Sequence, residues 1–199
     1  MRDVDYRELP ILLFEDQAAF ERWISTEGRS GKGVWLRLSK KGSGLTSLSK
    51  AEAIDVALCH GWIDGRLDKY DDASWVVRFT PRRRGSNWSE VNRARALELI
   101  EAGRMRAGGL AEVEAARADG RWAAAYAPAS RAEVPADLQA ELDRSPAANA
   151  FFATLTGANR YAILYRIGSA KKPETRARRI AQFVSMLERG ETVHGSRSA

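Results

Sequence analysis

The sequence has few of the residues that build metal centres and thiol chemistry. Its 199 residues include one cysteine, Cys59, and two histidines. A single cysteine excludes an intrachain disulfide and a cysteine-based zinc cluster, and it suits a reducing compartment. The aspartates after residue 63 do not have the spacing of a calcium-binding loop. We therefore expect no metal ion and no cofactor.

Long apolar runs are also missing. No stretch reaches the roughly 18 apolar residues that a membrane-spanning helix needs. The short apolar run at residues 11–14 is flanked by acidic residues, whereas a secretory signal has a basic start and a longer apolar region. The sequence predicts a cytoplasmic protein without membrane insertion, and it does not indicate an oligomeric state.

Positive charge is present in moderate excess. The chain has 32 lysines and arginines against 26 acidic residues, which gives a net charge of +6 and a pI near 9.7. This balance favours anionic partners such as an anionic small molecule, an acidic protein or nucleic acid. A solvated basic surface explains the same numbers equally well.

Apolar periodicity divides the chain into an α+β domain at residues 1–128, a helical segment at 134–190 and a flexible tail at 191–199. In the first part, strands are predicted at 9–14, 34–38, 62–69 and 74–80, and helices at 16–27, 49–60, 86–102 and 110–118. In the second part, Pro146 and Pro173 open helices. The predicted fold is a small antiparallel sheet packed with helices, followed by a C-terminal helical segment.

Three further predictions concern a strand, a helix face and a helix end. The alternation in residues 34–38 predicts a half-buried strand. The helix at 86–102 is expected to have one apolar face traced by Val91, Ala94, Leu97 and Ile100 or Glu101. Gly157 is expected to end the helix that Pro146 opens.

Several multi-residue blocks carry a family resemblance. They are Cys59–Gly65, Phe79–Arg82, Trp88-Ser89 with Asn92, Gly103-Arg104-Met105 with Gly108-Gly109-Leu110, Gly120-Arg121-Trp122 and Ala170–Arg176. Over residues 10 to 190 the chain resembles the YdeI/OmpD-associated family, also called bacteriocin-protection proteins. His60 departs from this pattern, where an aromatic residue is expected. The resemblance implies a link to bacterial tolerance of cationic antimicrobial peptides and bacteriocins and to an outer-membrane porin, and it brings no catalytic residues.

The first candidate binding site surrounds the end of the predicted hairpin. Its residues are Trp62, Asp64, Arg78, Arg82, Arg83, Arg84, Trp88 and Asn92. Guanidinium groups bind phosphate or carboxylate in two-point geometry, and an indole offers a face for stacking. Alternatively, the arginines form a solvated turn and Trp88 is a core or hydrophobic-staple residue.

The second candidate site is the start of the last helix. Its residues are Lys171, Lys172, Thr175, Arg176 and Arg179. Positive side chains at a helix N-terminus oppose the helix dipole, so a bound anion would explain their presence. Pairing with acids elsewhere, such as Asp137 or Glu141, is the alternative.

Asp64, Cys59 and His60 invite catalytic interpretations that their geometry does not favour. Cys59 and His60 are adjacent on a helix and point about 100° apart, so they do not pair easily. His60 is expected to end that helix. Asp64 is expected to be structural, either by capping backbone N–H groups or by holding Arg66 or Arg78.

Together these features favour a non-enzymatic binding protein for an anionic ligand or partner, linked to antimicrobial-peptide or stress tolerance. Two alternatives stay open. One is nucleic-acid binding, although no helix-turn-helix, zinc or RNA-recognition pattern supports it. The other is an enzyme with a pocket around Trp62, Asp64 and Trp88.

Overall fold

The computed structural model of the protein describes residues 9–26 and 31–194. The chain forms two compact units, unit 1 at Met1–Ala125 and unit 2 at Tyr126–Ala199. From residue 195 onward, the predicted tail lies outside the described residues. In the described part of the chain, no helix is both long enough and apolar enough to cross a membrane.

Unit 1 contains a four-stranded sheet. Its strands are β1 (Ile11–Leu12), β2 (Val34–Ser39), β3 (Trp62–Lys69) and β4 (Ser74–Pro81), in the order β1-β2-β4-β3. β4 is antiparallel to β2 and β3, whereas β1 is parallel to β2. The α+β class is confirmed, but the sheet is mixed and not purely antiparallel. The helix between β1 and β2 returns the chain in its original direction, as a parallel connection requires.

Four helices complete unit 1: α1 (Gln17–Thr26), α2 (Lys50–Cys59), α3 (Glu90–Glu101) and α4 (Ala107–Ala118). Local sequence signals fix their starts. The carboxylate of Asp16 accepts a hydrogen bond from the Ala19 N–H, and Ser49 forms a capping box with Glu52. These N-terminal caps agree with the prediction.

Two burial predictions in unit 1 were wrong. Val91 and Leu97 are 57% and 44% exposed and Ala94 is also exposed, whereas α3 buries Ala96 and Leu99. Of the predicted face, Ile100 packs partly buried against the cluster that contains Ala96 and Leu99. β2 is buried on both faces, because Trp35 packs with Leu9 and Val76 on the side of the sheet opposite to the main core.

The main core of unit 1 lies between the sheet and helices α1 and α2. It contains Phe20, Ile24, Leu36, Val77 and Phe79, among others. A second cluster joins α2, α3 and α4 around a buried Trp88. Since α2 belongs to both clusters, its end is held firmly where the candidate site begins.

Unit 2 is helical. It has a 3-10 turn at Ala129–Arg131 and helices α5 (Ala136–Arg144), α6 (Pro146–Thr154), α7 (Gly157–Gly168) and α8 (Pro173–Glu188). Its core includes Leu138, Leu142, Phe152, Leu155, Ile163, Ile167, Ile180, Phe183 and Leu187. Gly157 begins α7, contrary to the prediction, because α6 ends at Thr154 and Leu155 takes an extended conformation to enter the core. Ser145 precedes α6 without capping it, since its hydroxyl bonds to Glu188.

Candidate functional site

The candidate site begins at the turn between α2 and β3. His60 is the C-cap of α2, as predicted, and Gly61 follows with φ +78°. The Gly61 carbonyl accepts a hydrogen bond from the Arg82 N–H at 2.9 Å, and the Cys59 carbonyl accepts one from the Arg106 N–H at 3.0 Å. Three distant segments of the chain therefore meet at this turn: the end of α2, the end of β4 and the start of α4.

A glycine contact brings α4 directly against the turn. A Cβ atom at Gly61 would lie 2.7 Å from the Gly108 carbonyl oxygen, and one at Gly108 would lie 2.8 Å from the His60 oxygen. Both distances are shorter than real Cβ contacts. The two backbones can approach this closely only because neither residue has a side chain.

A cleft of about 850 Å³ opens beside this contact. The residues that line it are Ile24, Ser25, His60, Gly61, Trp62, Pro81, Arg82, Arg106, Ala107, Gly108, Ala111 and Glu112. This volume falls within the range of roughly 300–1,000 Å³ that small-molecule sites occupy. The lining combines apolar groups, a hydroxyl and an imidazole with two guanidinium groups against one carboxylate, that of Glu112, which suits an organic anion.

Arg82 places a buried positive charge in the cleft wall. The residue is only 7% exposed, and its guanidinium stacks on the Trp88 ring at 3.7 Å from the centroid. Its Nη1 donates to the Asn87 carbonyl at 3.2 Å. Trp88 in turn meets Trp122 edge to face, with centroids 4.9 Å apart. The stack restricts the guanidinium to one position by a cation–π contact.

A second buried arginine supports the loop that carries Arg82. Arg121 is 6% exposed, and its Nη1 donates to the Ser86 carbonyl at 2.7 Å while its Nε bonds to Asp119. The Gly120-Arg121-Trp122 block thus supplies both a loop anchor and the ring behind Trp88.

Arg106 brings a second, more exposed guanidinium to the cleft. Its Nε and Nη2 both donate to Glu21 Oε1, at 3.1 and 2.6 Å. The same oxygen lies 3.8 Å from His60 Nε2. The hydrogen bonds from Arg106 hold the pKa of Glu21 below its ordinary value, so Glu21 is ionised at neutral pH.

Cys59 lies next to this site but is buried. Burial raises the pKa of its thiol above the ordinary value, which keeps it protonated at neutral pH. The thiol is therefore not an activated nucleophile.

The first predicted cluster is only partly brought together. Trp62 and Arg82 line the cleft, and Trp88 lies against Arg82. Arg83 and Arg84 are exposed, and Asn92 lies in the first turn of α3, where its N–H donates to Ser89. Density of arginine along the chain thus did not indicate which guanidinium enters the cleft.

Asp64 and Arg78 lie elsewhere. Asp64 pairs with Lys50 at 3.4 Å, so the predicted arginine partners were wrong; Arg66 bonds to Asp68 instead. Arg78 lies on β4 opposite Trp35, and its buried Nε makes no hydrogen bond to a described residue. Among the described residues that line the cleft, neither Asp64 nor Trp88 appears, so they do not form one pocket with Trp62 there.

The second predicted cluster lies in unit 2 and has structural contacts. Arg176 forms two bonds with Asp137, at 2.5 and 2.8 Å, and donates to the Ile167 carbonyl at 3.1 Å. Arg179 donates to the Arg166 carbonyl and to Ser169. These carbonyls end α7, where positive charge is favourable. Arg176 and Arg179 oppose the dipole of α8, to which they belong, but they stabilise the C-terminal end of α7. This contact accounts for their position without a bound anion. Lys171 and Lys172 are exposed, Thr175 is half-buried, and anion binding by this cluster stays a prediction.

Sequence reasoning missed Glu21, Arg106 and Gly108. The block Gly103-Arg104-Met105 with Gly108-Gly109-Leu110 contained Gly108 but left out Arg106, and it gave no sign that either residue lies near His60 and Arg82. Glu21 lies 85 residues from Arg106, and no local pattern relates them.

Comparisons with known proteins match two separate segments of the chain. Residues 12–112 match a family model described as a domain of unknown function, DUF8412. Residues 131–190 match a model described as bacteriocin-protection, YdeI or OmpD-associated. The resemblance predicted from the motifs is confirmed over residues 131–190, whereas the blocks between residues 59 and 110 lie in the other match. No curated protein and no solved structure matches the chain.

Proposed function

The chain belongs to the DUF8412 family, a domain of unknown function that spans half of it, and we propose its function from the cleft. Unit 1 is a binding domain for a small organic anion that carries a carboxylate or phosphate group. All residues that line the cleft fall within the segment that the family model matches. The observation that carries the proposal is the buried Arg82 guanidinium, fixed on Trp88, in the wall of a ligand-sized cleft.

A guanidinium in this position favours an anion for two reasons. Its charge acts through a partly desolvated environment, where attraction to an anion is less screened than in water. Its stack on Trp88 already restricts the side chain, so little rotamer entropy is lost when a ligand binds. Arg106 adds a second positive charge that is accessible from solvent.

The start of α4 also faces this cleft. Ala107 and Gly108 line it, and the first turn of α4 contains no acidic side chain. The positive end of the helix dipole adds to the attraction for an anion. Trp62 and Ile24 provide apolar wall for the remainder of an organic ligand.

Calorimetric titration with inorganic phosphate and a panel of organic phosphates and carboxylates tests the proposal. Arg106→Ala should weaken binding by about tenfold to a hundredfold, because a hydrogen bond to a charged group contributes about 1.5–3 kcal/mol. Arg84→Ala is the matched control, since it removes the same charge from an exposed residue that does not line the cleft. Equal losses in both variants, or no binding by the native protein, would contradict the proposal.

We also propose that this binding contributes to bacterial tolerance of bacteriocins or antimicrobial peptides from within the cytoplasm. The support is the description of the family that residues 131–190 match. A strain that lacks the protein should become more sensitive to such peptides, and the native gene should restore tolerance while the Arg106→Ala variant should not. Full restoration by that variant would separate tolerance from the cleft.

A further inference from the structure

We propose that Glu21 is an internal competitor for the anion site, a proposal that rests on the function proposed above. In the unliganded protein the Glu21 carboxylate is hydrogen-bonded to the Arg106 guanidinium. A bound anion replaces the carboxylate as the partner of Arg106. The geometry that points to this role is the two-donor contact between Arg106 and a single Glu21 oxygen at the cleft.

The contact has the character of an exchangeable one. The side chains of Arg106 and Glu21 are 56% and 32% exposed. Ion pairs between groups this exposed contribute little to stability, so an incoming anion displaces the carboxylate at a small cost in affinity. The guanidinium of Arg82, by contrast, is held on Trp88 and keeps its position.

Glu21 lies close to both Arg106 and His60 at the edge of the cleft. Its Oε1 atom is bonded to Arg106 and is 3.8 Å from His60 Nε2. An anion in the cleft would meet the repulsion of this carboxylate unless Glu21 moves away. Its displacement therefore gives the ligand access to Arg106 and moves the negative charge that is bonded to this guanidinium away from it.

Glu112 provides a matched control within the same cleft. Glu112 lines the cleft itself, whereas Glu21 reaches the cleft through its contact with Arg106, and Glu112 forms no ion pair with any described residue. Glu112→Gln removes the same unit of negative charge as Glu21→Gln without releasing Arg106. The comparison separates competition for a guanidinium from a general change in electrostatic potential.

Calorimetric titration with inorganic phosphate measures the effect. Glu21→Gln should bind phosphate about threefold to tenfold more tightly than the native protein, as expected for removal of a weak competing pair and its charge. Glu112→Gln should give a smaller gain of about twofold, because it removes a charge that is screened by solvent in the open cleft but frees no guanidinium. In an Arg106→Ala background, the gain from Glu21→Gln should fall to the level of Glu112→Gln.

The outcomes distinguish this proposal from the one on which it rests. Equal gains from the two glutamine variants, or a gain from Glu21→Gln that persists without Arg106, would overturn the competitor role and leave anion binding intact. No phosphate binding by the native protein, Glu21→Gln or Glu112→Gln would overturn both. Binding by Glu21→Gln alone would support the competitor role but would contradict anion binding by the native protein.

Discussion

Replacing Gly61 with alanine should destabilise unit 1 by about 3 kcal/mol. The φ angle of +78° costs an L-residue about 1–2 kcal/mol, and forcing a methyl group into a packed contact adds about 1–3 kcal/mol. Alanine also lowers the conformational entropy of the unfolded chain, which offsets about 0.4–1 kcal/mol of this destabilisation. The new Cβ would lie 2.7 Å from the Gly108 backbone oxygen, and a backbone atom cannot rotate away as a side chain does.

Two further glycines separate the causes. Gly85 has a similar φ of +81° and no atom within 4 Å of its Cβ position, so Gly85→Ala should cost only about 1 kcal/mol. Gly108 has no positive φ but an equally close contact, so Gly108→Ala tests the contact alone. The double variant of Gly61 and Gly108 should cost less than the sum, because both changes push the same two backbones apart.

Urea unfolding followed by tryptophan fluorescence is the suitable assay. All six tryptophans lie in unit 1: Trp23, Trp35, Trp62, Trp75, Trp88 and Trp122. Their emission therefore reports on this unit without a contribution from unit 2. If Gly61→Ala costs no more than Gly85→Ala, the close approach of α4 to the turn is refuted.

Three other perturbations have defined outcomes. Asp55→Asn should destabilise unit 1 by about 2 kcal/mol in the same assay, because the buried carboxylate receives two bonds from Arg95, at 2.6 and 2.5 Å; a change within error would contradict this. The hydrogen bonds from Arg176 lower the pKa of Asp137 in the folded protein. They therefore stabilise unit 2 fully at pH values above the ordinary aspartate pKa of about 3.9. This stabilisation is lost as the pH falls through the lower pKa of the folded state. Acid titration followed by circular dichroism should show this loss, and Arg176→Gln should remove it. Cys59 should react with Ellman's reagent only on unfolding, and rapid modification of the native protein at pH 7 would show that the thiol is not buried.

Features encoded within a few residues were predictable. The capping box of Ser49 and Glu52, the start of α8 at Pro173 and the end of α2 at His60 all depend on neighbours in sequence. The β3–β4 hairpin was also located from its alternation and its turn. Such signals act through local hydrogen bonds and backbone preferences, so they do not depend on how the rest of the chain packs.

Features decided by distant partners were not predictable in the same way. Helix α3 carries two alternative apolar stripes, one with Val91 and Leu97 and one with Ala96 and Leu99. Only its packing against α2 selects the second. The parallel pairing of β1 depends likewise on the return of the chain through α1, which a two-residue strand does not reveal.

The candidate site shows the same division. Arginine density drew attention to Arg82, Arg83 and Arg84, but burial on Trp88 distinguishes the first from the other two. Arg106 and Glu21 meet only because α1 and α4 converge on the end of α2. The distribution of charge in the sequence therefore indicated Arg82 as a residue of the cleft but did not indicate Arg106.

The two main-chain hydrogen bonds at the turn have a consequence for how the cleft would receive a ligand. Because the Arg82 N–H is bonded to Gly61 and the Arg106 N–H to Cys59, the backbone of the cleft wall is assembled before any ligand arrives. Association then needs side-chain adjustment at Glu21 and Arg106 but no folding of a loop. Such preorganisation favours fast, charge-steered binding whose affinity differences appear mainly in the dissociation rate.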